Sequence, residues 1–183
     1  QNYSPNYHLS KVMGEGYEPG ADWIEWGSGS AGWLYIYQMS GLEVYIHGYE
    51  SEFSYRLNDI IRFDGSFSAT RGENLTDNSS LYYMPPDRIL LSTEINLLPF
   101  SINLMHKKVF SQNRIGLYES ATPGYETYNL IGTYTIRNSW AVHKIILQVD
   151  NVFDRKYYNH LSRIKSIMPE KGRNIGLQYR LNF

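Results

Sequence analysis

The sequence predicts an all-β protein, an antiparallel transmembrane β-barrel segment of about seven or eight strands with short periplasmic turns and long extracellular loops. Three observations carry this. Apolar and polar residues alternate with period two over stretches of about ten residues, the length that crosses a bilayer at a tilt. The connections between those stretches alternate strictly between short and long. Finally, 17 Tyr and 4 Trp among 183 residues supply amphipathic rings of the kind that sit at a membrane interface.

Composition narrows the classes further. A formal net charge of −1 offers no basic field for nucleic acid. The absence of Cys removes disulfides, Cys-ligated zinc and a thiol nucleophile. No apolar run reaches the roughly 18 residues of a membrane helix. The opening Gln1-Asn2-Tyr3-Ser4-Pro5 has neither the basic start nor the apolar core of a signal peptide, so a chain cut from a longer one is expected.

Along the chain, residues 1–42 are the least patterned. A strand is a candidate at 7–12, and 33–39 with 44–57 reads as one long strand broken near Ser40-Gly41. From His47 the pattern sharpens, as Tyr49, Phe53, Tyr55 and Leu57 alternate with Gly48, Glu50, Glu52, Ser54 and Arg56. Next, Ile61, Phe63, Gly65, Phe67 and Ala69 alternate with Arg62, Asp64, Ser66, Ser68 and Thr70. Strands follow at 88–97, at 100–110 less regularly, at 127–137 and at 140–150. The clearest is the last: Ile175, Leu177, Tyr179, Leu181 and Phe183 against Asn174, Gly176, Gln178, Arg180 and Asn182. Short turns at Asn58-Asp59, Pro99 and Asn138-Ser139 separate long loops at 72–87, 111–126 and 151–172. Tyr49, Phe53, Phe63, Phe67, Leu91, Ile95, Leu177 and Tyr179 are expected to face lipid.

Motifs with other meanings are weaker. Gly27-Ser28-Gly29-Ser30-Ala31-Gly32 fits G-x-G-x-x-G, but Trp33-Leu34-Tyr35-Ile36-Tyr37 after it reads as strand. A pyrophosphate would find no helix N-terminus there, and a Gly/Ser loop is the better reading. His8, His47, His106, His143 and His160 form no H-x-x-x-H pair, so no metal site is expected. His160 lies in a long loop, where an exposed surface histidine is the default reading and a ligand contact the sharper one. Glu50 and Glu52 share a face, where barrel-wall carboxylates meet an arginine such as Arg62, or solvent, rather than serve as an acid–base pair. The Asn-x-Ser/Thr matches at Asn74 and Asn78 mark a polar outer loop. No Ser–His spacing singles out a nucleophile and base, so the chain reads as a non-enzyme.

Five motifs in order carry a family resemblance over residues 48–183. These are Gly48-Tyr49-Glu50 at a strand start, Ser66 to Glu73 followed by Met84-Pro85-Pro86-Asp87-Arg88, and Thr122-Pro123-Gly124-Tyr125. Asp150-Asn151-Val152-Phe153-Asp154-Arg155-Lys156-Tyr157-Tyr158 and the ending from Gly172 to Phe183 complete the set. The chain resembles the C-terminal β-barrel portion of a TonB-dependent outer-membrane receptor. The resemblance implies residence in the outer membrane of a Gram-negative bacterium, and uptake of a scarce small-molecule ligand such as a siderophore, haem, cobalamin or a metal chelate.

Its implied partners are outer-membrane lipid, the barrel assembly machinery, which would read Phe183 as a C-terminal signal, and TonB through an N-terminal region absent here. Cofactors are not implied. Ligand contacts are expected from the outer loops, at Arg114, Tyr118, Tyr125, His160 and Arg163. Family barrels have about 22 strands around a plug, so residues 1–183 would be one C-terminal part of such a barrel with 1–42 poorly defined and the plug missing. A stand-alone small barrel acting as adhesin or structural anchor is the alternative, and a soluble β-sandwich binding module a third.

Overall fold

Among the residues that the computed structural model describes, every element is a strand. These are residues 6–11, 24–25, 33–34, 37–116 and 119–183, with side chains described from 43 onward. In chain order the strands are β1 (Asn6–Lys11), β2 (Ile24–Glu25), β3 (Trp33–Leu34), β4 (Tyr37–Leu42), β5 (Val44–Arg56) and β6 (Ile61–Asn74). They continue with β7 (Ser79–Ser80), β8 (Arg88–Leu97), β9 (Phe100–Val109), β10 (Tyr125–Arg137), β11 (Val142–Asp150) and β12 (Asn174–Asn182).

Two compact units are present, residues 1–46 with 73–79, and 47–72 with 80–183. In the first, β1 pairs with β4 from Asn6↔Leu42 to Lys11↔Tyr37, and β2 pairs with β3. The expected break near Ser40-Gly41 is corrected here. Ser40 and Gly41 sit inside β4, opposite His8 and Tyr7, and the interruption falls at Glu43. Cross-strand pairing overrides the local turn preference of Ser-Gly. The Gly27–Gly32 loop lies outside the described residues.

The main sheet runs β12-β11-β10-β9-β8-β6-β5, with β7 beside β6, an eight-stranded antiparallel up-and-down order. Registers are regular through β6–β8, β8–β9, β9–β10, β10–β11 and β11–β12. Because side chains alternate with period two, a regular register assigns every residue to a face. Following Ile95↔Ile102, Ile102↔Gly132, Gly132↔Leu147 and Leu147↔Leu177 traces one row of that assignment across five strands.

The result is one oily face. It carries Phe63, Phe67, Leu91, Ile95, Leu104, Leu130, Ile145, Leu147, Ile175, Leu177 and Tyr179, and Phe53 joins it by lying across Gly65. Tyr49 joins through its ring contact with Phe67, 6.0 Å between centroids. All eight residues expected to face lipid therefore share a face, on which Leu177 is 76% and Tyr49 63% exposed. The opposite face is wet, with Arg62, Asp64, Ser92, Glu94, Asn103, Lys144, Gln148, Gln178 and Arg180. Arg62 pairs with Asp64 two residues along its own strand, at 2.8 Å, rather than with Glu50 or Glu52.

Side-chain chemistry also fixes the connections. Asn58 Oδ1 accepts from the N–H groups of Ile60 and Ile61 (2.9 and 2.8 Å), and Asn138 Oδ1 from Trp140 and Ala141 (3.2 and 2.7 Å). These Asx turns close the β5–β6 and β10–β11 hairpins tightly. At this short-turn end the oily face becomes aromatic. Phe100 stacks on Tyr134 (4.8 Å), and Trp140 meets both His143 (5.8 Å) and Phe183 (6.0 Å). The Tyr179 hydroxyl sits 2.7 Å from His143 Nδ1. Rings with one polar edge suit a membrane–water boundary.

Candidate functional site

The long connections all leave the other end of the sheet, and those of the second unit bond to one another. Gln112 is buried at 1% exposure. Its Nε2 donates to the Met84 carbonyl (2.9 Å), while its backbone N–H and C=O pair with Thr122 (3.0 and 3.2 Å). Asp87 accepts from Arg71 in a two-point contact, 2.7 Å on one side, and Arg114 lies 3.8 Å away. The Arg71 hydrogen bond holds the Asp87 carboxyl below its usual range.

Sharp backbone geometry anchors two of the loops to their strands. Gly124 follows Pro123 where an added Cβ would sit 2.8 Å from the Val109 carbonyl, so only glycine fits. Asn151 (φ 50°) and Asp154 (φ 53°) take the left-handed conformation that Asn and Asp tolerate best among non-glycine residues. Asn151 is 4% exposed. Its side chain accepts from Arg155 N (2.9 Å) and donates to the carbonyls of Arg155 and Lys171 (2.9 and 3.3 Å). Asp154 Oδ1 accepts from Arg173 N at 2.7 Å.

A buried polar cluster then ties the loops together. Glu119 accepts from the N–H groups of Tyr83 (3.3 Å) and Gly116 (3.2 Å) and from Lys165 Nζ (3.2 Å). His160 is 1% exposed, with Nδ1 2.9 Å from Thr122 Oγ1 and 3.3 Å from Lys165 Nζ. An ammonium can only donate, so Nδ1 accepts and the ring proton belongs on Nε2. That nitrogen lies 2.9 Å from Glu119 Oε1, off the axis of a good hydrogen bond. Burial lowers the pKa of His160, and repulsion by Lys165 adds to this while Glu119 opposes it.

The wet face below the loops offers a second group. Arg88 and Lys107 stand on it as diagonal neighbours, about 7–8 Å apart by strand geometry. Arg88 Nε donates to Ser68 Oγ (2.9 Å), and Lys107 Nζ sits 5.8 Å from the centre of the Tyr125 ring. Tyr125 in turn stacks on Tyr157 at 4.2 Å, and burial raises the Tyr157 pKa. Beside them the wet face forms a concavity of about 570 Å³ lined by Glu52, Arg62, Asp64, Ser92, Lys107 and Asn129. Cations and phenol rings around such a hollow can hold an anionic or aromatic small molecule.

The expected contact residues fall in different places. Arg114 is half exposed beside Asp87, and Arg163 is exposed. Tyr125 is 9% exposed, within the Lys107–Tyr157 group. Tyr118 lies outside the described residues. The default reading of His160 as an exposed surface histidine is corrected: the ring is sealed between two loops. Glu119, Lys165, Gln112, Lys107 and Tyr157 were missed. Only Tyr157 stood within a motif, and nothing in the sequence marks the others, because their contacts join loops 28 to 46 residues apart or depend on strand register.

Thr122, His160 and Glu119 form a hydroxyl–imidazole–carboxylate line, an arrangement with the outline of a nucleophile and its base. Thr122 is 7% exposed and its hydroxyl faces the sealed ring, so the group works as a clamp between loops. Among the described residues no three His, Asp or Glu side chains gather as a metal site.

No family model matches the chain. A solved structure described as "Copper transporter OprC" matches with a TM-score of 0.72 and 23% identity, covering 80% of this chain and 24% of that one. The chain thus spans about a quarter of that protein's length. At this identity the likeness carries the fold, and with the one-sided sheet it places the chain among transmembrane β-barrels as an antiparallel wall segment.

Proposed function

We propose that the chain is the C-terminal wall of a TonB-dependent outer-membrane transporter that captures a scarce small molecule outside the cell. The carrying observation is the pairing of a single oily face with long loops that knit together at one end above a polar hollow. An oily face left exposed among the described residues suits lipid, and the wet face suits a water-filled lumen. Loops fastened by Gln112, Glu119 and His160 form a stable mouth, and the Arg88–Lys107–Tyr125–Tyr157 group below it gives an entering ligand its first polar contacts inside. Arg114 and Arg163, exposed on the loops, remain its outer contacts. A metal chelate fits this reading, since the comparison protein is described as a copper transporter and an anionic chelate complements the two cations.

The full-length protein, expressed in a Gram-negative host, should take up radiolabelled metal chelates in a manner abolished by an uncoupler. The Lys107→Gln, Tyr157→Ala variant should raise the half-saturating concentration about tenfold. Correct insertion with no uncoupler-sensitive uptake of any chelate would favour the adhesin or anchor reading.

A further inference from the structure

The oily face changes chemistry at the long-loop end. His106, Lys108 and Glu126 stand on it in register with Leu91, Ile89 and each other, where the rows across the middle are mostly aliphatic. Lys108 Nζ lies 2.9 Å from Glu126 Oε1, and His106 Nε2 lies 3.3 Å from Oε2 of the same carboxylate. Rings surround these charges. His106 stacks on Tyr128 (4.5 Å), Tyr128 meets the edge of Phe153 (5.2 Å), and Lys108 sits 5.7 Å from the centre of the Phe110 ring.

A cleft of about 530 Å³ opens among these groups, lined by Lys108, Phe110, Glu126, Tyr128, Phe153 and Arg155. Its charges do not balance. Glu126 is shared between Lys108 and His106, while Arg155 is exposed and, among the described residues, has no carboxylate within 4.0 Å. Arg155 is held by its backbone alone, through Asn151, so its guanidinium is free to turn into the cleft. Phe153, 71% exposed, gives the cleft an apolar wall continuous with the oily face.

We infer that this outward-facing cleft binds the phosphorylated headgroup of an outer-leaflet lipid, with Lys108 and Arg155 on the phosphate and Phe110 and Phe153 against the root of the acyl chains. The inference rests on the outer-membrane reading above. Charge complementarity and position commit the site to a lipid: the cations lie at the upper border of a face that meets hydrocarbon, on the side away from the hollow. A soluble anion has no use for the apolar wall.

Full-length protein in neutral detergent micelles is titrated with a diphosphorylated glycolipid, its dephosphorylated form and inorganic phosphate, with bound lipid counted by native mass spectrometry. The phosphorylated lipid should bind the native protein at least tenfold tighter than the dephosphorylated form. Arg155→Gln should lose most of that preference, and Lys108→Gln with Arg155→Gln all of it, while Lys144→Gln on the wet face should leave it unchanged. Equal binding by native and double-variant protein overturns the proposal, as does displacement of the lipid by millimolar inorganic phosphate, which would mark a free-anion site. Heat-modifiable mobility of each variant on gels reads barrel folding separately. Native protein that shows no folded band contradicts the barrel reading itself, whereas folded protein with no lipid preference contradicts only this inference.

Discussion

At the scale of single residues, the loop clamp depends on keeping His160 neutral. Its pKa in the docked loops lies below the ordinary value of 6.5, so the docked state binds fewer protons than the open one. Stability from this group is therefore complete above that value and is lost as pH falls through it. Asp87, held low by Arg71, adds a second loss below its ordinary 3.8. Hydrogen exchange in residues 110–116 and 157–170, corrected for intrinsic rates, should quicken between pH 7.5 and 5.5. His160→Gln should flatten that response; an unchanged pH profile in the variant would remove His160 from the latch. Lys165→Met leaves the Glu119 carboxylate, 4% exposed, without its cation. By analogy with broken buried ion pairs, loop docking should weaken by about 3–5 kcal/mol, seen as proteolysis within the loops while the strands stay protected.

At the scale of elements, the strands were legible because period-two alternation needs no knowledge of partners, and β12 emerges at Asn174–Asn182 almost as its pattern runs. The places where reading failed are those where a distant segment decides. Ser40-Gly41 looks like a break until β1 pairs with it. His160, 38 residues from Thr122, looks exposed until the loops meet. The loop motifs were visible for a related reason: Gly124, Asn151 and Asp154 are needed by local backbone geometry, which leaves a mark in sequence, whereas Glu119 and Lys165 serve only a tertiary contact. The two-faced strand makes a sharp forecast. Leu177→Arg puts a charge on the oily face and should cost about 2–4 kcal/mol of folding stability in lipid vesicles, against about 0–1 for Gln178→Arg one residue along. Equal costs would mean that β12 does not present one face to lipid.

At the scale of the whole molecule, the wall orders chemistry from end to end. Aromatic rings and tight Asx turns mark one border, aliphatic rows cross the middle, and charged residues with clasped loops mark the other. That polarity gives the proposed outer-membrane wall an orientation, with the long loops outside the cell and the short turns in the periplasm. With no Cys in these 183 residues, a cysteine placed in the full-length protein reports on its own position in the segment. Arg163→Cys on a long loop and Ser139→Cys in a short turn, each probed in intact cells with a membrane-impermeant maleimide, form the most direct test. Position 163 should be labelled in intact cells, and position 139 only after the outer membrane is permeabilised. Labelling of both positions in intact cells, or of position 139 alone, would contradict it.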